Sequence, residues 1–222
     1  MAPIIISIEG NIGSGKSTLL KNLKTHFRSN KSIVFLKEPV DEWETIRDEN
    51  DKSILEKFYA DQKKYSFSFQ MMAYISRLAL LKETIEKNPD TIIITERSLY
   101  TDKLVFAKML FDDGMIELVD YRIYLKWFET FANDYPIHGV IYVNADPHIC
   151  LERIEKRCRQ GESSIPIEYL ENCHMYHAKM IDTKNSECVC KNQLIINGNV
   201  DIYNNTQILQ EWIEQIENYI FE

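Results

Sequence analysis

Ile4, Ile5, Ile6 and Ile8 form a nearly unbroken β-branched run near the start of the chain. Such a run suits a strand buried on both faces. Gly10, Gly15, Lys16 and Ser17 then complete the spacing G-x-x-x-x-G-K-S/T, and Leu19, Leu20, Leu23 and Phe27 follow at helical intervals. In a strand–turn–helix setting the glycines let backbone N–H groups point inward around a phosphate, and the helix adds its positive end. Lys16 would reach the β- and γ-phosphates, and the Ser17 hydroxyl would ligate Mg²⁺. The loop from Gly10 through Asn11, Ile12, Gly13, Ser14, Gly15, Lys16 and Ser17 to Thr18 is therefore expected to bind a nucleoside triphosphate. A chance glycine-rich turn would lack the flanking strand and helix. The pattern alone leaves motor, switch and kinase open.

Strand-like runs recur at 33–36 (IVFL), 91–95 (TIIIT), 139–143 (GVIYV) and 193–196 (QLII), separated by helical patterns. Alternating β and α units predict a five-stranded parallel sheet with helices on both faces, the phosphate-loop α/β fold. Asn88-Pro89 ends a long helical segment that begins near Tyr65, and Pro147 sits where a helix should start. The polar segment 157–166 (RCRQGESSIP) reads as a loop between helices. With no repeat, linker or low-complexity tract, residues 1–222 are expected to form a single domain.

The net charge of −8 argues against a broad nucleic-acid surface, which needs a basic footprint. No apolar run approaches the ~20 residues of a membrane span. Nothing before Ile4 has room for a targeting segment, so the expected location is the cytoplasm. The five cysteines are odd in number and lack C-x-x-C spacing. Cys188 and Cys190 could bind a metal, although free thiols fit the pattern better.

In wound parallel sheets, ligands sit beyond the carboxyl ends of the strands. Glu38 follows the second strand in KEPVDEW, and Glu96 and Arg97 follow the third in TERSLYTD. A hydroxyl that attacks a γ-phosphate needs a proton acceptor, and Glu38 is placed for that task. Glu96 stands where phosphate-loop proteins place a Mg²⁺-side acid. Arg97 could brace Glu38 or stabilise moving charge. Arg153, Arg157 and Arg159, running into a glycine-bearing loop, suit a lid closing over phosphates.

These clusters, in this order, resemble the deoxynucleoside kinase family, and within it the deoxycytidine and deoxyguanosine kinase branch. The matching stretches are GNIGSGKST, EPVDEW, YSFSFQMMAYISR, ERSLYTDKLVFA and CLERIEKRCRQGESSIPIEYLENCH, in register from residue 4 to about 177. The resemblance implies transfer of a phosphoryl group from ATP or another nucleoside triphosphate, with Mg²⁺, to a deoxynucleoside 5′-hydroxyl. It implies that Glu38 is the general base, Arg97 its neighbour and Glu96 the Mg²⁺-side carboxylate. Gln70 resembles the glutamine that hydrogen-bonds the base, and Phe106 the aromatic that stacks on it opposite Phe69. Tyr59 and Glu162 match the holders of the sugar 3′-hydroxyl; Val40 and Trp43 belong to the same substrate set. Taken singly, the aromatics would be packing residues and Gln70 a surface amide. The register of the whole set is what assigns them.

The resemblance also pairs Arg77 with Asp102 beside the base, with small Ala73 nearby. An Asp acceptor favours an exocyclic amino group, and an Arg near pyrimidine C5 disfavours a methyl. That set points to deoxycytidine and the purine deoxynucleosides without ranking them. Family members pair as homodimers through helices, and the segment Tyr65–Leu81 is long enough to contribute. The sequence departs from the family at Cys158, where relatives carry glycine, and at Ile202, where relatives place an aromatic, which leaves donor preference open. A nucleoside monophosphate kinase is the nearest rival, but Glu38 would repel an incoming monophosphate. A catalytically silent subunit would have lost Lys16, Glu38 or Arg97. There is no N-K-x-D guanine motif.

Overall fold

The computed structural model describes residues 3–159, 161–162, 165–202 and 205–221. Five parallel strands, β1 (Ile4–Glu9), β2 (Ile33–Leu36), β3 (Ile92–Glu96), β4 (Gly139–Asn144) and β5 (Gln193–Asn197), lie in the order β2-β3-β1-β4-β5. The α/β fold and all five predicted strands are present. From β1 the chain lays β2 at one edge, fills the gap with β3, and then adds β4 and β5 on the other side. The carboxyl end of β1 is therefore the topological switch point, where such sheets hold their ligands.

The β1 run supplies both faces of the sheet, because successive side chains point to opposite sides. Ile6 and Ile8 pack in a rear layer with α1 (Lys16–His26) and α10 (Thr206–Phe221), through Leu19, Leu23, Trp212, Ile213 and Ile216. Ile5 and Ile93 face a larger front layer. That layer holds α4 (Gln62–Lys87), α7 (Leu118–Phe131), α8 (Pro147–Arg157) and α9 (Ile167–Ile181), with Tyr74, Tyr124, Phe128 and Leu170 fully buried.

Short elements at the strand ends build the rim. After β2 come α2 (Val40–Trp43) and α3 (Ile54–Ala60), the latter started by a reciprocal Ser53–Glu56 cap. After β3 come α5 (Leu99–Thr101), a π-helical turn (Asp102–Ala107) and α6 (Lys108–Asp112). Helical periodicity gave no sign of the π turn, a local widening of the helix often found at functional sites. α4 starts three residues before the predicted Tyr65, capped by Asp61. α8 begins at Pro147, with the Asp146 side chain accepting from the His148 N–H.

Candidate active site

The loop after β1 takes its shape from glycine. Gly10 has φ +142°, and a Cβ there would lie 2.6 Å from the Val143 carbonyl oxygen. At Gly13, φ +79°, a Cβ would lie 2.5 Å from the Cys150 carbonyl oxygen. Only glycine combines that backbone with that proximity. The Asn11 side-chain amide donates to the Leu170 carbonyl at 2.8 Å, tying the loop to α9. Lys16 is buried and donates to the Asn11 carbonyl at 2.6 Å. Burial, assisted by the Arg97 charge, lowers its pKa to about 7.

The Ser17 hydroxyl donates to Glu96, whose other oxygen, Oε2, has no partner among the described residues. A hydroxyl and a half-satisfied buried carboxylate at a phosphate loop are hard oxygen donors that fit Mg²⁺.

Glu38 sits between two guanidiniums: Arg97 Nη1 donates to Oε2 at 2.8 Å and Arg77 Nη2 donates to Oε1 at 2.9 Å. Burial alone would raise the Glu38 carboxyl, but Arg97, Arg77 and Lys16 outweigh it and hold it at about 2. Arg77 also reaches Asp102, Nε to Oδ2 at 2.9 Å, and the Glu96 carbonyl at 2.8 Å. Burial pushes Asp102 up to about 6 against the pull of Arg77.

These groups surround one cavity of about 740 Å³. Of the sequence-predicted residues, Ile12 to Thr18, Glu38, Val40, Trp43, Tyr59, Phe69, Gln70, Ala73, Glu96, Arg97, Asp102, Phe106, Arg153, Arg157, Arg159 and Glu162 line it. Gly10, Asn11 and Arg77 do not. The first two support the loop from beneath. Arg77 stands one layer behind the wall, holding Glu38 and Asp102 in place instead of filling space beside a ligand.

Two further placements differ from a simple lid. Arg153 donates to the carbonyls of Gly198 at 2.8 Å, Val200 at 3.0 Å and Ser14 at 3.2 Å. It ties the loop after β5 to the phosphate loop. Arg157 and Arg159 both grip the Glu162 carboxylate, Arg159 at 3.0 Å. Gln160, Ser163 and Ser164 of the predicted lid lie outside the described residues.

Sequence reasoning missed Leu55, Phe58 and Tyr169, which also line the cavity. Phe58 stacks on Phe69 with centroids 4.7 Å apart, and Trp43 meets Phe69 edge-on at 5.4 Å. Phe58 precedes Tyr59 in α3, and Tyr169 falls inside the matched stretch IPIEYLE; an aromatic on a helix carries no sequence signal that separates a cavity wall from core. Arg97 lies over the Phe106 ring, 5.2 Å from its centroid. Cys188 and Cys190 are free, and no cluster of three or more metal-ligating side chains exists among the described residues.

A phosphate loop at the switch point of a parallel sheet, facing the partly buried Glu38 carboxylate across an aromatic-walled cavity, defines a phosphoryl-transferring kinase. The deoxynucleoside kinase family model matches residues 6–221, and the chain belongs to that family. It is 33% identical over 220 residues to a fowlpox virus protein named as a probable deoxycytidine kinase, covering 98% of this chain and 88% of the relative. It is 32% identical over 241 residues to deoxycytidine kinase 2 of Gallus gallus, covering 97% and 89%. Against the mitochondrial deoxyguanosine kinase of Xenopus laevis it is 28% identical over 238 residues, covering 97% and 89%. The enzyme is a deoxynucleoside kinase, a phosphotransferase that acts on a nucleoside hydroxyl and uses a nucleotide phosphate donor.

Proposed function

We propose that the enzyme transfers the γ-phosphoryl group of ATP or another nucleoside triphosphate to the 5′-hydroxyl of deoxycytidine, deoxyadenosine or deoxyguanosine. The observation that carries this reading is Glu38, an ionised carboxylate on the wall of the cavity that the phosphate loop also lines. Phosphoryl transfer passes through a loose transition state, so the nucleophile needs orientation more than strong activation. Glu38 positions the hydroxyl and accepts its proton as the new bond forms. The same charge repels a monophosphate acceptor, which disfavours the thymidylate-kinase type of reaction.

Lys16 and the loop N–H groups hold the donor phosphates, and Arg97 steadies Glu38 and balances charge in transit. Ser17 and Glu96 would hold Mg²⁺, which neutralises donor phosphate charge when bound. Tyr59 and Glu162 hold the sugar, and Gln70, Phe69 and Phe106 hold the base. Asp102, fixed from behind by Arg77, accepts from an exocyclic amino group. The names of the relatives, deoxycytidine and deoxyguanosine kinases, agree with that choice.

The chain acts as a single-domain homodimer in the cytoplasm, without nucleic acid. Its net charge of −8 supports the last point, and an exposed apolar stripe on α7 supports the dimer. No helix among the described residues is long and apolar enough to cross a membrane.

Steady-state assays of the four deoxynucleosides with ATP and with a pyrimidine triphosphate test substrate and donor. Deoxycytidine and the purine deoxynucleosides should exceed thymidine in kcat/KM. Glu38→Gln keeps the shape but removes the acceptor, and kcat should fall by ~10²–10⁴ with nucleoside binding far less affected. Retention of more than a tenth of wild-type turnover, with chemistry limiting, would remove Glu38 from the role of base.

A further inference from the structure

Beneath the phosphate loop the fold buries a carboxylate that the reaction has not used. Glu9 ends β1, one residue before Gly10, and is 0% exposed. Its Oε2 accepts a hydrogen bond from the Thr101 hydroxyl, while Oε1 has no partner among the described residues. An unpaired oxygen on a buried carboxylate costs stability. Deviations of that kind are expected where function is served.

What Glu9 holds is the elbow after β3. Thr101 is itself fully buried, exchanges capping hydrogen bonds with Ser98, and is followed at once by Asp102. At the other end of the elbow, Arg97 has φ +61°, and its N–H donates to the Ile8 carbonyl at 2.9 Å. A left-handed arginine is a strained residue that persists only where its surroundings over-determine it. β1 grips the elbow at two adjacent points, the Ile8 carbonyl and the Glu9 carboxylate. Arg97 uses Nη1 on Glu38, while its Nε and Nη2 have no partner among the described residues. Three carboxylates act on this guanidinium: Glu38, Glu96 and, from below, Glu9.

We infer that Glu9 is a positioning residue for phosphoryl transfer. Through Thr101 it sets the elbow that carries Arg97 and Asp102. The inference rests on the roles proposed for Arg97 and Glu38.

Three single variants and one double test it. Thr101→Val removes the hydroxyl at nearly constant shape, Thr101→Ser keeps it, and Glu9→Gln removes the charge but leaves an acceptor. Thr101→Val and Glu9→Gln should each lower kcat by about 10- to 100-fold, the scale of a small misplacement at a reacting centre. KM for nucleoside and donor should stay within about threefold, because neither side chain lines the cavity. Thr101→Ser should keep at least half of wild-type kcat. The double variant Glu9→Gln/Thr101→Val should be no slower than the slower single, the mark of residues acting as one unit.

Glu9→Gln should also melt at or above the wild-type Tm, since it replaces a buried carboxylate that has one unpaired oxygen. A purely structural role predicts the reverse, a lower Tm with kcat preserved in the folded fraction, and that result would overturn the inference. So would Glu9→Gln keeping more than half of wild-type kcat, or Thr101→Ser being as slow as Thr101→Val. Should Thr101→Val fail to fold, Glu9→Gln and Thr101→Ser still decide. An active Glu38→Gln enzyme would instead sink the roles on which the inference rests.

Discussion

Binding of a donor exchanges the partners of Lys16: its ammonium now donates to the Asn11 carbonyl, and phosphate oxygens would replace that dipole with full negative charge. Burial first and Arg97 second bring the free lysine to about 7, and phosphate reverses the shift. The bound pKa is thus above the free one. Donor affinity is greatest below about 7 and weakens as pH rises toward the bound value, by up to about tenfold per unit. Titrating a fluorescent ATP analogue between pH 6.5 and 9 checks this, and Lys16→Ala should bind weakly with no such slope. Arg77 and Asp102 make a second case. Removing Asp102 alone takes one of two carboxylates from the buried Arg77 guanidinium, which keeps Glu38 and the Glu96 carbonyl; removing both avoids that imbalance. Arg77→Met with Asp102→Ala should raise the thymidine-to-deoxycytidine ratio of kcat/KM at least tenfold, the order that one lost substrate hydrogen bond commands. An unchanged ratio would mean that this pair does not read the base. Lys16, Glu38, Glu96 and Arg97 were legible in the sequence because loop spacing and strand ends place them. The Arg77–Asp102 pair came with the resemblance; the reach of Arg77 to Glu38 and the tethering of Arg153 were not legible, since those partners come from loops distant in sequence.

The strands could be read to within a residue or so, because a β-branched run buried on both faces leaves few alternatives. The segment between α8 and α9 was harder to read. α8 ends at Cys158 with φ +49°, a left-handed cap that usually takes glycine, and the helix stops there despite the wrong residue type. On either side of Cys158, Arg157 and Arg159 hold the buried Glu162 carboxylate. A carboxylate on an arginine pair competes with any phosphate those arginines would clamp. Glu162→Gln weakens that competitor, so donor affinity measured without nucleoside should tighten about two- to fivefold, the scale of a partly exposed ion pair. The nucleoside KM should rise in the same variant. Weaker donor binding would show that Glu162 organises the lid arginines instead of opposing phosphate.

Across the whole molecule, the exposed apolar side chains gather on α7. Val119, Ile123 and Trp127 recur every four residues, Phe131 continues the line, and Ile75 of the adjoining α4 is half exposed. Sequence reasoning had pointed to α4 for subunit contact; the period of four on α7 was equally visible in the sequence and was not used. A C2 dimer pairing this face with itself should sediment at twice the 26.2 kDa chain mass at micromolar concentration. Ile123→Glu with Trp127→Glu should return it to the monomer, and a wild-type monomer would reject the pairing. The rear layer has a different consequence, which concerns synthesis. It is closed by α1, made early, and by Trp212, Ile213 and Ile216 of α10, the last element of the fold. Until those residues leave the ribosome, one side of a parallel sheet has only a single helix to cover its isoleucines. Truncation before Trp212 should therefore leave that apolar face open and lower solubility as well as catalysis.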